Sequence, residues 1–322
     1  LAPSKFLKGR STYTCICLIS KIEGNIAYSK NNSHELDSLS AEDFIRIEYG
    51  NLDDFAGWTL CNTVTTNNIR KIESLGTPLG KLFDIKNGFA TLKNDIYLFT
   101  PIRETKKYFY INYKNTEVKI EKAICRKAIK PNILKTERDI DGNLEYIIFP
   151  YTLDACNKAV PVDEDIMKTK FPYALEYLRQ NFEALKSRDK ESRTYVPWYA
   201  YGRTQALNII GKKLLFPYLA DKPYFVLTED ETLLFYNGYA IVSDSSRKLI
   251  ALRRILQSSV FWYYIKHTSK PYGGNYFALA KNYVKNFGIP KLTEEEEDII
   301  LNLNECDLDA YIENIYGVTL ND

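Results

Sequence analysis

The spacing of apolar residues changes twice along this chain. Residues 11–19 are β-branched and apolar, Glu23-Gly24-Asn25 supplies a turn, and Ile26-Ala27-Tyr28 returns, so the pattern predicts a hairpin over 11–28. A hairpin without a sheet of its own has to pair with other strands. Residues 33–60 are acidic, with a helix expected near 41–47. Short strands then flank the Asn87-Gly88 turn, another strand is expected over 94–99, and strands continue over 106–150 with polar turns such as Asp141-Gly142-Asn143. From there the period becomes helical. Phe171, Leu175, Leu178, Phe182 and Leu185 fall on one face of a helix, with Pro172 suited to its first turn and Arg179, Lys186 and Arg188 off the stripe. Strands return at 214–219 and 224–227, followed by a hairpin of 233–236 and 239–242 turned at Asn237-Gly238. Leu249, Leu252, Leu256 and Tyr263 mark a second helix, residues 272–277 a glycine-rich turn, and Thr293-x-x-Glu296 a capping box opening a further helix. Short strands and helices without regular alternation predict an α+β fold of more than one packed unit.

Charge adds direction to this pattern. The net charge of 322 residues is only +2, yet residues 179–213 hold eight basic and three acidic side chains, residues 103–138 hold eleven and four, and residues 294–322 hold ten acidic and none basic. Basic middle segments within a nearly neutral chain suit a directed positive face, which a nucleic acid requires, although Lys-rich helices are equally well read as solvated surfaces. Tyrosine is abundant, at 25 residues, whereas Met167 is the only methionine and the chain begins at Leu1, which suggests a piece of a longer protein. The six cysteines form no Cys-x-x-Cys pair, so neither a zinc site nor a disulfide framework is expected and a reducing cytoplasm fits. No apolar run reaches membrane-spanning length.

Residues 193–203, Arg-Thr-Tyr-Val-Pro-Trp-Tyr-Ala-Tyr-Gly-Arg, concentrate the binding chemistry. Aromatic faces, a glycine and an arginine fork suit phosphates or the N7/O6 edge of guanine, while a surface loop pinned by Trp198 fits the same composition. Catalytic chemistry is absent from the pattern. His34 and His267 have no partner at ligand spacing, and neither of the phosphate-cradling patterns G-x-x-x-x-G-K-[ST] and G-x-G-x-x-G occurs.

Five blocks in order give the chain a family resemblance. They are Leu-Ala-Pro-Ser-Lys-Phe (1–6) with Tyr-Thr-Cys-Ile (13–16); Leu-Gly-Lys-Leu-Phe-Asp-Ile-x-Asn-Gly (79–88); Trp198-Tyr199-x-x-Gly202-Arg203 after its helix; residues 249–262 with Gly273-Gly274-x-Tyr276-Phe277; and Asn286-Phe287-Gly288-Ile289-Pro290. Together with Leu308–Gly317 at the close, they resemble the C-terminal part of TaqI-like type II adenine-N6 DNA methyltransferases of restriction–modification systems.

The resemblance implies that residues 1–30 are the last strands of a Rossmann-like methyltransferase core, 31–74 a linker, 75–247 a target-recognition α/β region and 248–322 a helical C-terminal region. It further implies double-stranded DNA as partner, an upstream methyltransferase domain, with or without a nuclease, and S-adenosylmethionine as the parent enzyme's cofactor. The family's glycine motif and Asn-Pro-Pro-Tyr motif do not occur here, so this chain is expected to carry no catalytic residue and not to methylate by itself. Arg203 heads the expected DNA contacts, supported by Arg193 and Arg188. Lys93 beside the Asn-Gly turn, and Lys270 and Lys281 around the Gly-Gly turn, are further backbone contacts, each weighed against ordinary solvation. Phe6 or Tyr13 would stack on a flipped base in the parent, unless they are plain core residues. Two other readings fit the same residues: a stand-alone specificity subunit, and an interaction scaffold for a nuclease or methylase subunit.

Overall fold

The computed structural model describes residues 17–18, 24–29, 40–52, 58, 60–191 and 193–320. The fold is mixed α+β, with twelve α-helices and several small sheets among the described residues. It divides into two compact units. One comprises residues 1–82, 219–223 and 254–322, and the other residues 83–218 and 224–253. The edges differ from the 75–247 region read from sequence. Thr77–Pro78 pairs with Gly288–Ile289, and Leu219–Ala220 pairs with Tyr276–Ala278, which places both short strands in the first unit.

The first unit is largely helical. The Thr63–Ser74 helix, capped by Asn62, buries Ile69 and Ile72 where a linker was expected. Gly288 passes so close to the Ile72 and Leu75 carbonyls that a Cβ would collide with them, which explains the glycine in Asn-Phe-Gly-Ile-Pro. The Tyr316 hydroxyl donates to the Gly288 carbonyl at 2.7 Å and fixes the last helix, Glu305–Tyr316, to this crossing. Residues 41–47 form a 3₁₀ turn capped by Ser40, then the strand Ile45–Ile47, and not a helix. That strand pairs with Ile26–Tyr28, the return strand of the expected hairpin. Residues 11–16, which carry the other half, lie outside the described residues.

The second unit contains two four-stranded sheets. In one, Cys125–Ile129 lies between Leu234–Phe235, which runs parallel to it, and antiparallel Glu145–Ile148, with Leu98–Phe99 beyond. In the other, Lys212–Phe216 and Tyr239–Ser243 form the centre, flanked by Val226–Thr228 and Asp84–Asn87. The hairpin expected at Asn237-Gly238 does not form. Asn237, at φ 51°, turns the chain from one sheet into the other. Residues 94–97 are a short helix and not a strand, because Thr91 and Asn94 bond side chain to side chain at 2.6 Å and start a turn there.

Both long helices read from the sequence are interrupted. Pro172–Gln180 and Phe182–Lys186 are separated by Asn181, whose side chain donates to the Tyr177 carbonyl and accepts from the Tyr113 hydroxyl. Ser246–Leu256 ends before Ser258, which caps a new helix, Ser259–Thr268. The Pro172–Gln180 helix begins on a remote cap. The buried Glu121 carboxylate accepts from the Tyr173 and Ala174 amides, both at 2.9 Å, where a helix favours negative charge.

Candidate nucleic-acid interface

The 193–203 loop is anchored from beneath by its own aromatic residues. Tyr199 and Tyr201 are buried, and their hydroxyls donate to the carbonyls of Val162 at 2.6 Å and Ile148 at 2.5 Å. The Tyr97 hydroxyl donates to the Tyr199 carbonyl at 2.9 Å, while the Tyr151 hydroxyl accepts from the Tyr201 amide. Burial pushes the Tyr199 and Tyr151 hydroxyls up to about 12 and also raises those of Tyr97 and Tyr201, so all four stay protonated at neutral pH. Aromatic bulk in this run therefore packs the core. Tyr201 meets Tyr97 edge-on at 4.8 Å and Tyr151 at 5.0 Å.

Arg188 occupies a different place from the one expected of a DNA contact. It is 1% exposed. Its Nε donates to the Leu185 carbonyl at 2.6 Å, one Nη to Trp198 at 2.7 Å, and the other to Ala200 and the Tyr97 hydroxyl. The guanidinium carbon lies 4.3 Å from the centre of the Tyr195 ring. Helix-like spacing put Arg188 off the apolar stripe, but the chain leaves the helix at this point. Asp189 and Lys190 both take positive φ, near 52° and 54°, which turns Arg188 inward.

Arg203 emerges at the other end of the loop. Its amide donates to Ala90 O and that of Gly202 to Thr91 O, both at 2.9 Å, so the loop is stitched to the segment after the Asn87-Gly88 turn. Gly202 is required there, because a Cβ would run into the Leu92 side chain. The Arg203 side chain is about half exposed at 47%, with Nη1 at 3.7 Å from the Asp189 carboxylate and 3.3 Å from the Gly202 carbonyl. Arg193 is exposed, with its guanidinium 5.8 Å from the centre of the Tyr195 ring.

These elements surround a concavity of about 490 Å³, lined among others by Arg193, Tyr195, Val196, Arg203, Gln205 and Pro161. The Tyr195 hydroxyl is buried there without a hydrogen-bond partner among the described residues. Gln205 donates to the Gly88 carbonyl at 3.1 Å, a second tie between the two segments. The hollow thus offers two guanidiniums and an exposed aliphatic side chain. Such a lining suits an anionic ligand or the edge of a base. A larger hollow of about 560 Å³ follows the Thr63–Ser74 helix, but there Asn68 and Lys71 already donate to the Thr319 and Gly317 carbonyls.

Arg203 and Arg193 thus line one concavity, whereas Lys93, half-buried and two residues beyond Thr91, is not part of its lining. Lys270 and Lys281 belong to the other unit. Lys270 is exposed, 5.2 Å from the centre of the Tyr272 ring, and Lys281 opens a four-residue helix. The Gly273-Gly274 turn joins two short strands, with Gly274 and Asn275 at positive φ. Phe6 and Tyr13 lie outside the described residues. Gln205 and Pro161 were not legible as site residues, since a lone glutamine and a strand-end proline carry no binding signal in sequence.

Among the described residues, no group of three or more His, Cys, Asp or Glu side chains is placed to hold a metal ion, and no helix is long and apolar enough to cross a membrane. No protein-family model matches the chain, and no curated protein matches it either.

Proposed function

We propose that this chain recognises double-stranded DNA in a sequence-specific manner, as the specificity part of a site-specific adenine-N6 DNA methyltransferase of a type II restriction–modification system. The single observation that carries the DNA reading is the pairing of Arg203 and Arg193 on the lining of one concavity. Buried tyrosines and the Arg188 fork hold its backbone in place. A rigid scaffold that presents exposed cationic forks suits base and phosphate contact. The assignment to a methyltransferase rests on the order of the five sequence blocks. In this reading the second unit is the target-recognition region and S-adenosylmethionine binds in an upstream domain.

The test is selection of the chain against a pool of randomised duplexes at moderate salt, with Arg203→Ala as control. One short enriched motif, lost in the control, is the expected result. Absence of binding even at low salt would sink the DNA reading and favour an interaction scaffold, since phosphate-driven binding strengthens steeply as salt falls.

A further inference from the structure

We infer that the exposed loop at the rim of the concavity enters the major groove at a thymine-containing step, with Val196 set against the thymine 5-methyl group. The inference rests on the DNA reading above and deepens it. Val196 is 86% exposed, whereas Tyr199 and Tyr201, a few residues on, are buried. A single exposed aliphatic residue is ordinary on protein surfaces, so exposure alone carries nothing. Its place carries the argument. Val196 lines the same hollow as Arg193 and Arg203, and its backbone is anchored on both sides. On one side the Tyr195 ring lies against the Arg188 guanidinium. On the other, Arg188 donates to the Trp198 and Ala200 carbonyls. The valine is therefore held outward, and a β-branched side chain has little rotamer freedom with which to fold back.

Among the groups that bases present in the major groove, only one is aliphatic, the thymine methyl. Cytosine presents its amino donor and the purines present N7 with O6 or N6. An outward valine beside two guanidinium forks is complementary to a thymine whose neighbours offer guanine acceptors or phosphates. A surface meant only for phosphate would gain nothing from an aliphatic group at this position.

The experiment uses the full chain and the motif recovered by selection. Each thymine of that motif is replaced in turn by deoxyuridine, which removes the methyl group alone. Affinity is then measured at fixed salt for the wild type and for Val196→Ala. At one thymine, uracil is expected to weaken wild-type binding about fourfold, the equivalent of one buried methyl. Val196→Ala should bind the thymine and uracil duplexes equally, with an unchanged denaturation midpoint because the side chain is exposed. A motif in which no thymine is uracil-sensitive overturns the inference, and so does a uracil effect of equal size in Val196→Ala. Both results leave sequence-specific binding intact. Failure to recover any motif is a different outcome, which removes the sequence-specific reading and this inference with it, whether or not the chain still binds duplex DNA at low salt.

Discussion

The guanidinium of Arg188 donates to the carbonyl of Ala200, twelve residues further along the chain, and with its other Nη to the carbonyl of Trp198. One buried side chain thereby fixes two points, Trp198 and Ala200, in the aromatic loop that leads to Arg203. Its planar fork reaches two carbonyls at once, which a lysine ammonium on a flexible stem cannot do with equal preorganisation. Arg188 is thus a positioning residue for the concavity without lining it.

Replacing Arg188 with alanine strands the Leu185, Trp198 and Ala200 carbonyls in a buried setting. A loss of about 3 kcal/mol in unfolding free energy is expected, measured by chemical denaturation. Arg188→Lys keeps the charge but not the fork and should fall between the two. An alanine variant as stable as the wild type would show that the clamp contributes nothing.

Gly202 and Leu92 are coupled by shape. A Cβ at position 202 overlaps the Leu92 side chain, so Gly202→Ala is expected to destabilise by about 1–3 kcal/mol. Truncation of the obstacle in Gly202→Ala/Leu92→Ala should recover part of that loss. A double-mutant cycle on denaturation midpoints measures the coupling, and simple additivity of the two changes would refute it.

The sequence made the fold class and the loop legible, but not how the loop is held. Alternating Tyr108–Tyr113 and Thr116–Glu121 read as strands because one face is apolar and local, and the structure has both. Thr293 and Glu296 likewise form the capping box that their spacing signals. The failures share a cause, which is that contacts remote in sequence decide the outcome. Asn181 breaks a periodic helix because Tyr113, 68 residues away, takes its side-chain oxygen. Asn237-Gly238 looks like a hairpin turn, yet Leu234–Phe235 finds its partner in Cys125–Ile129. Arg188 reads as surface charge because no local pattern announces that Trp198 and Ala200 will present carbonyls to it. Arg203 and Lys93 could be named individually, but the pairing of Ala90 with Arg203 and the bond from Gln205 to Gly88, which bring their segments together, have no local signal.

Lys213 predicts a pH dependence. It is fully buried and its ammonium donates to the Gly211 and Glu231 carbonyls at 2.7 and 2.6 Å, while burial lowers its pKa to about 8. The unfolded chain, with an ordinary lysine near 10.5, binds this proton over a range where the folded chain has released it. The lysine's contribution to stability is therefore present in full above the unfolded value and is lost as pH falls through about 8. Relative to Lys213→Met, the wild type should gain stability between about pH 8 and 10.5, measured as the difference in denaturation midpoints. A difference that is constant across that range, or that shrinks, would contradict this.

Asp189 and Arg203 supply the last prediction. Their side chains are 35% and 47% exposed, and 3.7 Å separates carboxylate from guanidinium, so the pair adds little to stability. Its effect falls instead on ligand binding, because the carboxylate competes with phosphate or a base edge for the same fork. Asp189→Asn removes the competing charge and should raise DNA affinity about two- to threefold at low salt, with an effect that fades as salt screens the pair. Arg203→Ala should weaken binding by a larger factor and leave the denaturation midpoint unchanged. If Arg203 contacts phosphate, the loss is uniform across sequences and the salt slope falls by about one; if it reads a base, discrimination at one position is lost instead. Titrations of the wild type and both variants at several salt concentrations separate these outcomes. An Asp189→Asn variant that binds DNA more weakly than the wild type would mean that the carboxylate orients the Arg203 fork and does not compete for it.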